Sequence, residues 1–153
     1  MNIGIIVHSH TGNTLSVAEK LKVKFLADGH LVTLEQVTAV NEDPEAAANA
    51  ELLVVPDITG YEMLIFGAPV RGFSLSPVML LYLNQLPSLQ GKKISCFVTQ
   101  QLPFACLGGN RSIKQMKKAI IAKNGTVHET GVVNWSSKKR EDLITDLINR
   151  LTK

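Results

Sequence analysis

Short apolar runs alternate along this chain with longer stretches in which apolar residues recur every three or four positions. Ile3-Gly4-Ile5-Ile6-Val7 is apolar throughout and rich in β-branched residues, the pattern of a parallel strand buried on both faces. Val17, Ala18, Leu21 and Phe25 follow at helical spacing, and Asp28-Gly29 ends that helix with Gly29 as its cap. A second strand is expected over Leu31–Val37, and Pro44 opens a short helix that reaches about Ala50. Leu52–Val55 stops at Pro56 and reads as an extended edge piece. Met63–Gly67 is a third core strand, and Ser76-Pro77 caps and starts a helix with Met79, Leu80 and Leu83 on its inner face. Ile94–Thr99 is a fourth strand, and the helix after it turns Ile113, Met116, Ile120 and Ile121 inward. Thr126–His128 and Val132-Val133 read as an interrupted fifth strand, and Leu143, Leu147 and Leu151 form the stripe of a last helix.

Strands alternating with helices imply right-handed βαβ units. The expectation is an α/β fold, a doubly wound five-stranded parallel sheet in one domain over residues 1–153. Composition adds bounds. Hydrophobic residues make up 45% of the chain, enough to build a core. The formal net charge of +3 is too mild to argue for nucleic acid. No apolar run approaches the roughly 20 residues of a membrane span, so no membrane insertion is expected. Two cysteines make no disulfide framework, and Met-Asn-Ile-Gly does not read as a signal peptide, which together suggest a cytoplasmic protein. Lys114, Lys117 and Lys118 read as the solvated face of their helix.

The candidate chemistry sits in three unusual loops, each after a core strand. Ser9-His10-Thr11-Gly12-Asn13-Thr14 joins the first strand to the first helix. Hydroxyls and free amides at a helix start, with the positive end of the helix dipole, favour an anion such as a phosphate monoester. Neither GxxxxGK[ST] nor GxGxxG is present, which sets aside the common triphosphate and dinucleotide loops. Ser and Thr serve equally as simple N-caps at such a place. The second loop is Ala68-Pro69-Val70-Arg71-Gly72-Phe73-Ser74, and the third runs from Gln100 to Gly108-Gly109. In a doubly wound sheet all three lie at the carboxyl edge, where ligands bind. His8 and His10 lack the Cys, Asp or Glu that would complete a metal set. Cys106 has no evident general base and reads as a loop hydrophobe, Cys96 as strand core, and Trp135 as core or interface packing.

Ser9, Thr11, Gly12 and Thr14 match the [TS]-x-T-G-x-T phosphate loop that follows the first strand in flavodoxins, and over essentially its whole length the chain resembles that family. The resemblance implies FMN, strand order 2-1-3-4-5 and one-electron transfer between redox partner proteins, a reductase and an acceptor, by a monomer or weak dimer. It implies cofactor contacts from Ser9, His10, Thr11, Gly12, Asn13 and Thr14. It adds Ala68, Pro69, Val70, Arg71, Gly72 and Phe73 in the loop that covers the flavin ring. It adds Thr99, Gln100, Gln101, Leu102, Phe104, Gly108 and Gly109 on the other side. Gly72 stands where the family's glycine peptide can turn toward the ring. Two departures are visible: many flavodoxins are strongly acidic, and many set a Trp or Tyr on each ring face, where this chain offers Val70, Phe73, Leu102 and Phe104. Those side chains serve equally as core anchors. No catalytic acid, base or nucleophile is assembled. An alternative is an NAD(P)H-dependent quinone or flavin reductase on the same fold, since Pro69-Val70-Arg71-Gly72-Phe73 resembles the Pro-Thr-Arg-Phe/Tyr-Gly loop of tetrameric quinone reductases. Those enzymes are longer and carry insertions absent here. A flavin-free regulatory domain would not need Thr11, Gly12 and Thr14 together.

Overall fold

In the computed structural model, which describes residues 1–101, 104 and 107–153, the apolar runs form the centre of one sheet. The long strands are β1 (Asn2–Val7), β2 (Leu31–Gln36), β5 (Met63–Arg71), β7 (Lys93–Gln100) and β8 (Thr126–Asn134). They pair in parallel in the order β2-β1-β5-β7-β8. Counted among themselves these five run 2-1-3-4-5, as expected. Three short pieces take the intervening numbers. β3 (Thr38–Ala39) and β4 (Leu52–Val54) make a separate antiparallel pair. The Leu52 piece is therefore not an edge of the main sheet. β6 (Ser74–Leu75) adds a sixth, antiparallel strand to β5.

Side chains alternate across the central strands, yet both faces are apolar because helices cover both. On one face Ile3, Ile5, Val7, Met63, Ile65 and Phe97 pack against α1 (Asn13–Ala27) and α4 (Arg140–Leu151). On the other, Ile6, Leu64, Phe66 and Val98 pack against α2 (Pro77–Asn84) and α3 (Gly109–Ala122). Gly67 pairs with Phe97, and a Cβ there would enter the Phe97 ring, so the aromatic ring fills the space the glycine leaves.

Five local expectations need correction. β5 continues through Ala68–Arg71, which the apolar pattern assigned to a loop. β8 is continuous, with a register shift that leaves His128 extra between Val127 and Glu129; as an edge strand it tolerates the polar residues that seemed to interrupt it. Ile121 is 62% exposed, one position past the buried Ile120. In α4 the buried stripe is Ile144, Leu147 and Leu151 rather than one through Leu143. The short helix after Pro44 is a 3-10 turn over Pro44–Asn49.

One buried polar cluster ties the β1 end to its surroundings. His8 is almost fully buried, and its backbone N–H donates to the Gly67 carbonyl at 3.0 Å. Its Nε2 lies 3.0 Å from a Glu42 carboxylate oxygen and its Nδ1 2.6 Å from Ser76 Oγ. A carboxylate only accepts, so neutral His8 donates from Nε2 and its Nδ1 accepts the Ser76 hydroxyl proton. Ser76 also caps α2 by accepting from the Met79 N–H, as the Ser-Pro pair foretold. The other Glu42 oxygen accepts from Ala39 N–H at 2.8 Å.

Burial holds the His8 imidazole below its usual 6.5, with Arg71 and His10 adding repulsion and Glu42 pulling the other way. Because the folded-state value is depressed, the unfolded chain takes up this proton at higher pH than the folded one. The stability that His8 confers is complete above 6.5 and lost as pH falls from there through the lower folded-state value. Denaturant titrations between pH 8 and 5 should show stability falling below 6.5 with a slope of at most about 1.4 kcal/mol per pH unit from this group. His8→Gln should flatten that part of the profile; an unaltered slope would assign it to other groups.

Candidate functional site

The first special loop leaves β1 and enters α1 through Gly12, whose φ of 95° only glycine adopts without strain. Ser16 N–H donates to the Gly12 carbonyl, which opens the helix. No side chain caps this helix at Gly12, and its first turn carries no acid. Ser9 Oγ accepts from Leu15 N–H at 3.3 Å, folding the loop back over the helix start. Thr14 points inward. It is buried, and its hydroxyl lies 2.8 Å from that of Thr99 at the end of β7, across 85 positions of sequence.

The second loop is a hairpin. Arg71 pairs with Ser74 and Val70 with Leu75, which leaves Gly72 and Phe73 as a two-residue turn with φ of 55° and 66°. Positive φ at both positions suits the right-handed twist of a hairpin. Glycine supplies it freely, whereas a bulky phenylalanine there is strained, a feature that often marks function. The Phe73 side chain is 56% exposed at the tip. Behind the turn, a Cβ on Gly108 would lie 2.7 Å from Val70 Cγ1 and 2.8 Å from the Phe73 Cα. The glycine pair at the start of α3 thus lets that helix approach the hairpin closely.

The third loop hangs on Gln100. Its side-chain N–H groups donate to Asn134 Oδ1 and to the Phe104 carbonyl, both at 2.6 Å, and its own carbonyl accepts from Trp135 N–H. A Cβ on Gly109 would lie 2.5 Å from the Gln100 Oε1. Phe104 itself is 64% exposed.

These three segments enclose a cleft of about 310 Å³ at the carboxyl ends of β1, β5 and β7. His10, Thr11 and Asn13 form one wall, Pro69, Val70 and Arg71 another, and Thr99, Gln100 and Gln101 the third. The lining holds no Asp or Glu and includes Arg71, so an anion is favoured. Arg71 is half-buried and makes no ion pair among the described residues. A second hollow of about 200 Å³ shares Val70, Gln100 and Gln101 and adds Gly72, Phe73 and Leu107.

Nine of the residues expected at the site therefore line the cleft, and Gly72 and Phe73 line its neighbour. Ser9, Gly12 and Thr14 shape the first loop from behind, and Ala68 is buried in β5. Gly108 and Gly109 act as spacers for α3 rather than as walls of the cleft. Leu102 and Cys106 lie outside the described residues. Pro44, which joins the lining, was not expected there, because the fold of its segment depends on the pairing of β3 with β4. Leu107 and the His8–Ser76–Glu42 cluster were missed as well; Leu107 had no motif around it, and a buried histidine bonded far along the chain leaves no local pattern.

No family model matches the chain, and no curated protein matches it in sequence. Solved structures do. A short-chain flavodoxin associated with a PDU bacterial microcompartment superposes with a TM-score of 0.69 at 13% identity, covering 99% of this chain and 96% of that one. Flavodoxin 2 from Bacillus cereus gives 0.65 at 17% identity, over 98% of this chain and 97% of its own. A flavoprotein from Lactobacillus acidophilus solved in complex with FMN gives 0.63 at 14% identity, over 93% and 97%. At such identities the likeness establishes architecture, and it extends over nearly the whole chain: this protein has the flavodoxin fold.

Proposed function

We propose that this chain binds FMN in the cleft and carries electrons between redox partner proteins. The observation that supports it is the meeting of three loops around an acid-free cleft beside the start of α1, where the cap residue Gly12 has no side chain. That donor set fits a phosphate monoester: backbone N–H groups of the first loop and the Thr11 hydroxyl, without a carboxylate to repel it. Pro69 and Val70 offer an apolar wall to a ring system, and Gln100, braced by Asn134, steadies the opposite side. Phe73, which lines the adjoining hollow, and Phe104 are both exposed, and in this reading they would cover an aromatic ligand. FMN, when bound, supplies the one-electron chemistry; the protein binds it, orients it and sets its electrostatics. The Lactobacillus acidophilus protein, solved with FMN on this fold, supports a flavin as the ligand.

Titration of the purified chain should show FMN binding at least about tenfold tighter than riboflavin. Thr11→Val should narrow that gap by about tenfold or more, the worth of one hydrogen bond to a charged group, while riboflavin affinity stays unchanged. Equal affinities for the two ligands in the native chain would remove the phosphate assignment.

The carrier reading also expects slow reduction by NADH or NADPH when no partner enzyme is present. Steady turnover of a quinone with either nucleotide at about 1 per second or faster would favour the reductase instead.

Arg71 places a positive charge on the wall of the cleft. Two unit charges about 6–8 Å apart, at an effective dielectric near 20, interact by about 2–3 kcal/mol, on the order of 0.1 V for a one-electron step. Half-exposure reduces this, and more so in salt. Potentiometry at low ionic strength should therefore find a lower reduction potential for bound FMN in Arg71→Ala than in the native chain. An equal or higher potential would mean that Arg71 does not act on the flavin.

A further inference from the structure

All 13 Asp and Glu lie at or before Glu62 or at or after Glu129, whereas half of the 16 Lys and Arg lie between those two positions. The fold turns this segregation into a surface. The acid-free stretch supplies β5, β6, α2, β7 and α3, and α2 and α3 share one face of the sheet. The acids on that side of the sheet come from Glu35 of β2 and from the segment that runs from β3 to Asp57, and none comes from α2 or α3.

The exposed stripe of α3 runs Arg111, Lys114, Lys118 and Ile121, at spacings of three, four and three, with Lys117 beside it. A solvated face ordinarily mixes signs, and the opposite layer does so: Lys20 pairs with Glu141, Lys24 with Asp28, and Arg150 with Asp146 and Glu129. Among the described residues none of the α3 cations has an ion pair. Their like-charge neighbours at three and four residues weaken the helix, and Arg111 in its first turn opposes the dipole. Among the described residues no ion pair offsets these costs.

The stripe also has a direction. α3 begins at Gly108, packed against the hairpin tip, and runs about 21 Å away from the cleft. Its cleft end is flanked by exposed Phe73 and Phe104, and its far end carries exposed Ile121. Exposed aromatics and an Arg at one end of a single-sign charged stripe, with an apolar residue at the other, suit a protein surface of opposite charge.

We propose that this α3 face is a docking surface for an acidic protein, which seats its carboxylates on Arg111, Lys114 and Lys118 and an apolar patch against Phe73. That the partner exchanges electrons with the cleft rests on the carrier reading above; the docking itself does not. Nucleic acid would meet the same cations, but the patch is one helix wide, its ends are apolar, and the chain as a whole is only mildly basic.

The test is heteronuclear NMR of the labelled chain, with and without FMN, titrated at low salt with an acidic ferredoxin, a basic cytochrome c and a DNA duplex. The ferredoxin should shift the amides of Phe73, Arg111, Lys114 and Lys118, with affinity falling as salt rises. The cytochrome should leave them unmoved. Lys114→Glu/Lys118→Glu, both exposed positions, should weaken ferredoxin binding by about tenfold or more, with the rest of the spectrum confirming the fold. Lys22→Glu on α1, on the opposite layer, should change it less than twofold. Shifts confined to other faces, equal effects of the two variants, or tighter binding of the duplex than of the ferredoxin would each overturn the proposal. Binding at α3 by a chain that takes up no FMN would keep the docking surface and remove the carrier reading. FMN binding without shifts at α3 would do the reverse.

Discussion

β1, β5 and β7 have no face open to water, and most of the structure follows from that constraint. Ile3, Ile5, Val7, Met63 and Ile65 are sealed by α1 and α4, and Ile6, Leu64, Phe66 and Val98 by α2 and α3. With both faces apolar, polar side chains are pushed to the strand ends, where the sheet stops and loops begin. Gly67 shows how tight the packing is: the Phe97 ring takes the place of its missing side chain. The cleft lies where this dry slab ends, so its walls are the first residues along each strand that can be polar.

Those walls are held by bonds between distant parts of the chain. The Thr14–Thr99 hydroxyl pair joins the start of α1 to the end of β7, and Gln100 joins the third loop to Asn134 of β8. His8 bonds Glu42 and Ser76, linking the end of β1 to the segment after β3 and to the start of α2. Each is a polar group at the margin of an apolar core, where an unmade hydrogen bond is costly. The same bonds that satisfy these groups fix the relative positions of the loops. A ligand entering the cleft meets a preformed frame rather than three independent segments.

The charge of the molecule is divided between its helices. α1 and α4 mix both signs and pair them; α3 carries cations only. Such a division has little to do with the core, since exposed charges far from one another contribute little to stability. It does shape the field around the cleft, which opens beside the basic helix and carries Arg71 in its wall.

The central strands, the Ser76-Pro77 helix start and the three special loops were legible in the sequence because each leaves a local mark. A strand buried on both faces is a continuous apolar run, a capped helix start is a Ser-Pro pair, and loops concentrate glycines and hydroxyls. The extension of β5 through Arg71, the continuity of β8 and the exposure of Ile121 were not legible. They depend on which neighbour pairs or packs with each residue: β6 folds back on β5, the edge position accommodates the polar residues of β8, and α3 turns Ile120 rather than Ile121 inward. The roles inside the loops divided in the same way. Thr11 and Thr14 look alike in sequence, but only the tertiary structure turns Thr14 into the interior to meet Thr99 and leaves Thr11 on the cleft. Local pattern reports how much of a segment is buried; which distant group completes a hydrogen bond is set by sheet register and helix packing, and these exist only once the chain has folded.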